Sequence, residues 1–534
     1  MFTSRERKRL TGVRPRPERG AVSSAPRAAV APARAGLPRT RERRAGVLLP
    51  SSRVGSASYG PRPAIIAVVR PVRPPAEPAV KASIVLYTSD LRLHDHPPLR
   101  AAVREAEEVV PLFVRDPGIK KVGFHAANRA AFLADCLGDL DAGLRERGGR
   151  LVVRAGEPAQ VVRELVGSTG AERVHVAAGV SAYARNRADR LRAALEGTGA
   201  ELVEHEAVIT ALPPGEVVPG SKDHFAVFTP YHRQWSAQHL REPLGAPRKL
   251  SVPSKVRSDG VPRREDVEGV SPGLARGGER EGRARLADWR RDGISRYEDL
   301  HDDLAGDGTS RLSPYLHFGA LSAAECVHRA RAVGGAGADA FVRQLCWRDF
   351  HHQVLAARPA AAHEDYRPRG DHWRTGSDAE HEAAAWREGR TGYPVVDAAM
   401  RQLAHEGWMH NRGRLLAASF LTKTLYLDWR LGAAHFLDLL VDGDLVNNQM
   451  NWQWVAGTGT DTRPGRVLNP LTQARKYDPE GDYVRHWVPE LRGIEGRAVH
   501  EPWKRPREER EGYPEPLVDL AEGRDRFRRA REKG

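Results

Sequence analysis

The sequence predicts an α/β domain built on a doubly wound parallel sheet, followed by an all-α domain. Between residues 81 and 210, short apolar runs rich in β-branched residues alternate with helical stretches, as in strands joined by crossover helices. From Arg283 onward, apolar residues recur at i, i+3 and i+4 and strand signals are nearly absent, which is typical of packed helices. The 534 residues are enough for two or three domains and a large core.

In the first domain we expect strands at residues 84–87, 109–114, 151–153 and 174–176. The alternating helices are expected at residues 99–106, 126–147, 158–166 and 182–195. The first strand–helix junction, TSDLRLHDHP, lacks the G-x-G-x-x-G fingerprint of a dinucleotide site. A near match at residues 335–340 follows a helical run and is interpreted as a loop. In the second half, helices are predicted at residues 285–289, 323–332, 338–357, 395–406, 412–425 and 433–440.

Composition divides the chain into five segments. Residues 1–80 form a basic, Arg/Pro/Ala-rich extension, which we expect to be disordered. This extension is either a tail with affinity for nucleic acid or the product of a misassigned start codon. The other segments are a sheet domain (81–210), a linker with a short ordered piece at 228–235 (211–282), a helical domain (283–510) and a charged tail (511–534).

Charge and cysteine usage exclude several classes of protein. The net charge is +15, but residues 1–80 hold 17 of the 84 basic and only 4 of the 69 acidic residues, so the remaining body is close to neutral. A nucleic-acid interface on the folded part therefore requires a local basic patch. The three cysteines lack metal-ligand spacing, and no apolar run is long enough for a membrane span. We expect a reduced, cytoplasmic protein without a metal site.

An unusual mixture of side chains lies between residues 438 and 469. It combines two acids (Asp442 and Asp444), an amide pair (Asn447 and Asn448), two tryptophans and a Gly/Thr-rich turn that is followed by arginines. Amides and carboxylates bind the polar edge of a flat ring system, whereas aromatic side chains cover its faces. A buried helix with a polar turn is the alternative, but further parts of the same kind of pocket occur elsewhere in the chain.

Four blocks of the helical half carry a family resemblance: GTSRLSPYLHFG (308–319), QLCWRDF (344–350), GYPVVDAAMRQLAHEGWMHNRGR (392–414) and DGDLVNNQMNWQW (442–454). Together with TSDLRLHDHPPL (88–99), they closely resemble the DNA photolyase/cryptochrome family. The most similar group is the bacterial class I cyclobutane pyrimidine dimer photolyases. The resemblance covers roughly residues 82–505.

The resemblance implies that the helical domain binds FAD. The cofactor phosphates and ribityl chain are then expected to contact Tyr297, Thr309, Ser310, Arg311, Leu312 and Ser313. Hydroxyl groups, backbone N–H groups and a guanidinium together suit an anion. Around the flavin ring, the matching residues are Arg348, Asn411, Arg414, Asp442, Asp444 and Asn448. Asn448 is the position that would face N5, and the positive charge of Arg414 favours an anionic reduced flavin.

The resemblance also implies light-driven repair of pyrimidine dimers in DNA, by electron transfer from reduced FAD to a flipped-out dimer. Photolyases are among the enzymes known to take their target bases out of the stack. The implied catalytic residues are Gln344, Asn448, Trp347 and Trp454, and the electron-transfer chain is Trp452, Trp429 and Trp373. The implied DNA contacts are Trp347, Trp454, Arg412, Arg463, Arg466, Arg475 and Lys476.

Three positions depart from the pattern of dimer photolyases. Gln344 replaces a glutamate that bonds the pyrimidine bases, Leu415 replaces a methionine, and Phe341 replaces a tryptophan. An amide still donates and accepts hydrogen bonds, but it brings no charge. The two histidines that animal (6-4) photolyases carry at positions 411 and 415 are absent, so that specificity is disfavoured.

Two further expectations follow from the resemblance. The sheet domain is expected to hold an antenna, either a deazaflavin or methenyltetrahydrofolate, near residues 121–129 and 183–187, although the chain without an antenna is an open alternative. We expect a monomer that binds DNA. The rival functions are a cryptochrome-type photoreceptor and a DNA-binding flavoprotein without repair activity; the short stretch after Trp503 favours the enzyme over a cryptochrome.

Overall fold

The computed structural model describes residues 80–532, which begin with a five-stranded parallel sheet. Its strands are β1 (Val80–Tyr87), β2 (Ala106–Arg115), β3 (Val152–Ala155), β4 (Ala171–Ala177) and β5 (Glu201–His205). The strand order is β3-β2-β1-β4-β5, and all neighbours are parallel. Four of these strands were predicted. The sequence did not reveal β5, because this edge strand is short and polar, and none of its residues is fully buried. The expected disorder before Val80 lies outside the described residues.

Helices cover both faces of the sheet, so the doubly wound prediction is confirmed. They are α1 (Pro97–Glu105), α2 (Gly118–Lys121), α3 (Ala127–Arg145), α4 (Pro158–Thr169) and α5 (Ala182–Leu195). Along β1, Val85 and Tyr87 belong to one hydrophobic core, while Ile84 and Leu86 belong to another. Alternate side chains of a strand face opposite sides of its sheet, and both sides of this one are buried.

The chain after β5 is helical in the described residues. Its α-helices are α6 (Phe228–Ser236), α7 (Glu279–Asp288), α8 (Tyr297–Leu300), α9 (Ser313–His317), α10 (Ala323–Arg331), α11 (Gly335–Ala357), α12 (Ser377–Glu388), α13 (Pro394–Glu406), α14 (Asn411–Ser419), α15 (Trp429–Leu439), α16 (Leu445–Ala456), α17 (Pro470–Tyr477), α18 (Asp482–Trp487) and α19 (Leu520–Glu532). Two π-helical turns, Trp289–Gly293 and Phe420–Thr424, continue α7 and α14. The remaining short helices are of the 3₁₀ type: Arg264–Asp266, Ile294–Arg296, Pro359–Ala362, Pro489–Leu491, Gly496–His500, Pro502–Lys504 and Arg507–Arg510.

The interpretation of residues 335–340 as a loop was wrong. Gly335 is the first residue of α11, and Gly334 and Gly335 both have positive φ, at +71° and +84°. Glycine adopts this backbone conformation at little cost. The two glycines therefore turn the chain between α10 and α11 instead of forming a cofactor loop.

The linker and the charged tail both contain packed helices. The ordered piece predicted at residues 228–235 is α6, and the fully buried indole of Trp235 donates to Asp349 Oδ2 in α11 at 3.0 Å. In the tail, α19 buries Phe527, which is 2% exposed. No helix within residues 80–532 is long and apolar enough to cross a bilayer.

A buried arginine in the loop after β1 joins the sheet domain to the helical half. The guanidinium of Arg92 is 1% exposed and donates to the carbonyl oxygens of Gly319 at 3.0 Å, Val208 at 2.9 Å and Asp95 at 2.9 Å. Gly319 has φ +63°, and a Cβ atom there would lie 2.0 Å from Ser89 O. The close approach of the two segments therefore requires glycine at position 319.

Replacing Arg92 by methionine should destabilise the protein by at least roughly 3 kcal/mol. The substitution removes the side chain that bonds these three buried carbonyl groups, and each unsatisfied group costs about 1–3 kcal/mol. Thermal unfolding followed by circular dichroism should show a lower Tm. Arg100→Met on the exposed face of α1 is the matched control and should change stability by less than about 0.5 kcal/mol. Equal Tm values for the two variants would refute this role of Arg92.

Candidate active site

A cavity of about 250 Å³ lies in the helical domain. Its wall contains fourteen residues that the sequence singled out: Tyr297, Thr309, Ser310, Arg311, Leu312, Ser313, Gln344, Asn411, Arg414, Leu415, Asp442, Asn447, Asn448 and Trp452. They come from α8, the loop before α9, α11, α14, the loop before α16 and α16 itself. Chain segments more than 150 residues apart in sequence therefore converge on one site.

A larger and more open cleft of about 440 Å³ lies between α3 and residues 261–277. The carboxylate of Asp135 at its centre is already used: it accepts from Arg264 Nη1 at 2.6 Å and from the backbone of Gly277 at 2.9 Å. Asp139 likewise accepts from the backbone of Arg280. These hydrogen bonds and the ion pair hold the linker against α3, so the cleft marks the contact between these two segments. The smaller cavity is therefore the candidate site.

The loop before α9 contributes hydroxyl groups and one guanidinium to the cavity. Arg311 adopts positive φ, at +49°, and its guanidinium lies 4.4 Å from the ring centre of Trp408. The indole of Trp408 donates to Ser313 Oγ at 3.2 Å. Thr309 Oγ1 is buried and has no hydrogen-bond partner among the described residues. A polar ligand in the cavity would satisfy this atom.

An ion pair also lines the cavity. Arg414 Nη2 lies 2.8 Å from Asp442 Oδ2, and Arg414 Nε donates to Met409 O at 2.9 Å. The Asp442 side chain is 3% exposed, and its second oxygen, Oδ1, has no hydrogen-bond partner in the described part of the chain. Oδ1 therefore remains an acceptor for an N–H or O–H group inside the cavity.

Asp444 caps the start of α16 instead of lining the cavity. Its carboxylate accepts from the backbone N–H of Val446 at 2.7 Å and from the amide of Asn447 at 2.9 Å. Burial alone would raise the pKa of Asp444, but electrostatic interactions with His352 and Arg348 lower it to about 2. Because Asp444 stays ionised near neutral pH, it holds the helix N-terminus in place.

Helix α16 presents one face to the cavity. The lining residues Asn447, Asn448, Asn451, Trp452 and Val455 recur at the spacing of one helix face. The side-chain nitrogen of Asn448 donates to the carbonyl oxygen of Ala433 at 3.0 Å and to Gln449 Oε1 at 3.2 Å, and its amide oxygen has no donor among the described residues and can accept from a ligand.

Several predicted residues lie outside the cavity wall, and their roles stay predictions. The guanidinium of Arg348 donates to Ile209 O at 2.6 Å. Trp347 stacks flat on Phe228, with ring centres 3.7 Å apart and an interplanar angle of 4°. Trp454 is half-buried against the second hydrophobic core. Trp429 is fully buried and Trp373 is half-buried.

The predicted basic residues differ in how far they are already paired. Arg412 forms an ion pair with Asp302, and Arg475 forms one with Glu501. Arg463, Arg466 and Lys476 are exposed. Within residues 80–532, none of these three has a carboxylate within 4.0 Å, so their charges are available to a ligand.

Sequence reasoning missed several residues of the site. His301, Trp408, Met409, Phe436 and Asn451 also line the cavity. Trp408 and Met409 belong to a matched block, and Asn451 follows Asn447 by one helical turn, so these three were detectable. His301 and Phe436 had no sequence signal, because only the packing of α8 and α15 brings them to the site.

A further tryptophan was missed beside Trp452. Trp386 is 1% exposed and lies edge-on to Trp452, with ring centres 6.0 Å apart. Its indole donates to the carbonyl oxygen of Ala417 at 3.0 Å. Nothing in the local sequence separates such a residue from an ordinary core tryptophan.

Two family models match this chain. One describes the DNA photolyase domain and matches residues 83–249. The other describes the FAD binding domain of DNA photolyase and matches residues 341–533. The two matches fall on the sheet domain and on the helices that carry most of the cavity wall, so the chain binds FAD in its helical half.

Proteins of similar sequence and structure match most of the chain. The deoxyribodipyrimidine photo-lyase of Streptomyces griseus is 65% identical over 455 residues, which cover 85% of this chain and 99% of that protein. The crystal structure of an archaeal photolyase from Sulfolobus tokodaii with two FAD molecules has a TM-score of 0.75 and 32% identity, with 85% of this chain and all of that chain covered. The crystal structure of the Synechocystis cryptochrome has a TM-score of 0.78 and 29% identity, and the match again covers 85% of this chain and all of that chain. The chain belongs to the DNA photolyase family.

Proposed function

We propose that this protein is a light-driven DNA repair enzyme that splits cyclobutane pyrimidine dimers. The observation that carries the proposal is the 65% identity to a deoxyribodipyrimidine photo-lyase over nearly the whole of that relative. The cavity supports it, because its polar wall suits a cofactor with phosphates, hydroxyl groups and a ring with a hydrogen-bonding edge. The chemistry that bound FAD supplies is light-driven donation of an electron to the dimer, which returns when the ring has opened.

The residues of the cavity divide the task of holding FAD. The hydroxyl groups of Thr309, Ser310 and Ser313 and the guanidinium of Arg311 bind its phosphates and sugar chain. Asp442 Oδ1 and the free amide oxygen of Asn448 accept hydrogen bonds from the ring edge. The paired guanidinium of Arg414 places positive charge beside the ring, which stabilises an anionic reduced form. Arg348, Asn411 and Asp444 complete the predicted cofactor set.

Gln344 is the residue we assign to the pyrimidine bases. It is exposed and lines the same cavity as Asn448 and Trp452, so a dimer that enters the cavity meets it. Its amide both donates to and accepts from the base edges without a change in protonation. Trp347 and Trp454 are proposed as aromatic walls, and stacking on such walls is worth about 1–3 kcal/mol for each base.

Trp452, Trp429 and Trp373 are proposed to carry electrons from the surface to FAD. Trp452 lines the cavity, and a Cβ atom on Gly432 of α15 would lie 2.1 Å from Trp452 Cη2. The indole therefore packs directly on the helix that begins with Trp429. Trp373 is half-buried, and its ring centre lies 5.0 Å from that of Tyr426. Tyr426 precedes the first residue of α15 by three positions.

We propose that Arg463, Arg466 and Lys476 contact DNA phosphates, with Arg412 and Arg475 as partners whose ion pairs would rearrange on binding. A deazaflavin, methenyltetrahydrofolate or a second FAD is proposed as an antenna in the sheet domain; the archaeal photolyase with two FAD molecules supports the last of these. We also propose a monomer in a reducing cytoplasm, because Cys136, Cys326 and Cys346 are buried free thiols.

The reduced protein should restore thymines in a defined thymine-dimer oligonucleotide under blue light and not in darkness. Product analysis by chromatography before and after illumination measures this directly. Flavin-loaded, reduced protein without light-dependent repair would contradict the proposal and favour a photoreceptor of the cryptochrome type. A (6-4) photoproduct oligonucleotide serves as the matched substrate control and should remain unrepaired.

Trp452→Phe should slow photoreduction of oxidised FAD by at least tenfold, because phenylalanine is far harder to oxidise than an indole. Repair by protein that has been reduced chemically should be retained, since the dimer takes its electron from FAD and not from Trp452. Absorption spectra under illumination measure the first quantity and oligonucleotide repair the second. Loss of flavin content or of both activities would instead give Trp452 a structural role.

Gln344→Ala should weaken binding of dimer DNA in darkness by roughly tenfold, which corresponds to the loss of about 1.4 kcal/mol of hydrogen bonding. Gln344→Glu should bind more weakly above the pKa of the new carboxyl group, near 4.3 in an exposed position, because a carboxylate accepts hydrogen bonds but cannot donate them. The wild-type protein should show no change in affinity at about pH 4.3 that depends on residue 344, because an amide does not titrate there. Gln160→Ala, on the exposed face of α4, is the control. Unchanged affinity for Gln344→Ala would remove this residue from the substrate site.

A further inference from the structure

Lys423 is a deeply buried ammonium group in the helical domain. It lies in the π-helical turn Phe420–Thr424 that continues α14, and the residue is 2% exposed. Lysine is rarely buried to this extent unless its charge is paired. Yet no carboxylate of residues 80–532 lies within 4.0 Å of its Nζ atom. The position of Lys423 therefore calls for a role other than an ordinary ion pair.

The ammonium group is bonded to the backbone of another segment. Lys423 Nζ donates to the carbonyl oxygen of Pro464 at 2.9 Å and to that of Arg466 at 2.6 Å. Both acceptors belong to residues 457–466, which we call the arginine loop because it carries Arg463 and Arg466. Hydrogen bonds from a charged donor are about twice as strong as neutral ones. Lys423 thus ties the arginine loop to the domain at two points.

The other end of the arginine loop is hydrogen-bonded to α16, whereas the arginine side chains of the loop are not ion-paired within the described residues. The backbone N–H groups of Thr458 and Gly459 both donate to the carbonyl oxygen of Gln453 at 3.0 Å. The side chains of Arg463 and Arg466 are exposed and have no carboxylate within 4.0 Å in the described part of the chain. A fixed backbone with free guanidinium groups is the arrangement expected of a surface that presents charge to a ligand.

Two further elements pack around the ammonium group. The ring centre of Phe527 in α19 lies 5.4 Å from Lys423 Nζ, and Arg531 of α19 donates to the carbonyl oxygen of Ala456 at 2.8 Å. The charged groups that act on Lys423 are the carboxylates of Asp461 and Asp371 and the guanidinium groups of Arg466 and Arg531.

We propose that Lys423 is a positioning residue for DNA binding, which holds the arginine loop so that Arg463 and Arg466 reach the DNA phosphates. The proposal rests on the proposed function of those two arginines. It assigns Lys423 no contact with DNA. A loop that loses this tie would sample more conformations and would have to be ordered on binding, which lowers affinity.

The ionisation of Lys423 makes this role sensitive to pH. Burial lowers the pKa of Lys423 from its ordinary value of 10.5 to about 8, although Asp461 opposes the shift. Between these two values the unfolded chain binds more protons than the folded one, so the contribution of Lys423 to stability rises with pH. Its two charge-assisted bonds to the loop, by contrast, become weaker neutral bonds over the same range. DNA affinity and stability therefore respond to Lys423 in opposite directions.

The experiment is a double-mutant cycle on the flavin-loaded protein, with dark binding of a thymine-dimer duplex as the probe. Arg463→Gln together with Arg466→Gln should weaken binding and reduce the salt dependence by roughly two phosphate contacts. Lys423→Met should weaken binding by about fivefold in the wild-type background and by less than about twofold in the arginine double variant, because it acts through the arginines. Arg100→Gln with Arg104→Gln, on the exposed face of α1, is the matched control for loss of two charges.

The unsubstituted protein provides a test that does not depend on the variant folding. Its affinity for the same duplex should fall severalfold between pH 7 and pH 9, while Lys423→Met should show a flat profile and unchanged flavin content. An additive effect of Lys423→Met in the arginine background, or a pH profile shared by both proteins, would overturn the positioning role. If the arginine double variant binds as tightly as the wild type, the proposed phosphate contacts fail instead.

Discussion

The buried guanidinium of Arg92 bonds backbone groups in both halves of the molecule and is central to how the two halves are joined. Its carbonyl acceptors come from its own loop, from Val208 after the sheet and from Gly319 after α9. Helix α9 directly follows the loop whose hydroxyl groups and Arg311 line the cavity. The sheet domain therefore fixes one wall of a site to which it contributes no lining residue. The absence of a dinucleotide fingerprint in that loop agrees with this structural role, because the loop binds protein backbone instead of a phosphate.

The cavity is built around polar atoms that the protein itself does not satisfy. Thr309 Oγ1 and Asp442 Oδ1 are both buried without a partner among the described residues. Each such atom costs about 1–3 kcal/mol, and ligand binding that satisfies it stabilises the folded state. The donor and acceptor pattern suits FAD, whose sugar and phosphates fit the hydroxyl groups and whose ring edge fits Asp442 and Asn448. Stability and cofactor binding are thus coupled through the same side chains.

Helix α16 connects the cofactor site with the surface that would bind DNA. Asp444 caps its start, and Asn448 and Trp452 occupy its cavity face. At its end, the carbonyl oxygen of Gln453 accepts from the first residues of the arginine loop, and the side chain of Gln453 donates to Ala361 O at 2.7 Å. The same rigid element therefore positions both the proposed electron path and the start of the proposed phosphate contacts. Lys423 secures the far end of that loop.

Local pattern was sufficient for most elements and for many residues of the cavity wall, but not for His301 and Phe436. Strands β1 to β4 are continuous apolar runs because both faces of the sheet are buried, and that pattern is visible without a structure. Edge strand β5 is half-exposed and polar, so it was invisible. The polar residues of the matched blocks were found because side chains such as Asp442 and Asn448 are chemically costly to bury, and their clustering needs an explanation.

The sequence by itself determined the fold class, the family and many of the residues that line the cavity, because each of these depends on short-range pattern or on residue type. Only the tertiary structure decided which charges are free and which are used. Among the described residues, Arg412 and Arg475 are ion-paired while Arg463 and Arg466 are not, and the spacing of basic residues cannot show this. The role of Lys423 was likewise not predictable, because its two acceptors are backbone carbonyl groups more than 40 residues away. Every residue has a carbonyl group, so residue types cannot show which carbonyl groups bond Lys423.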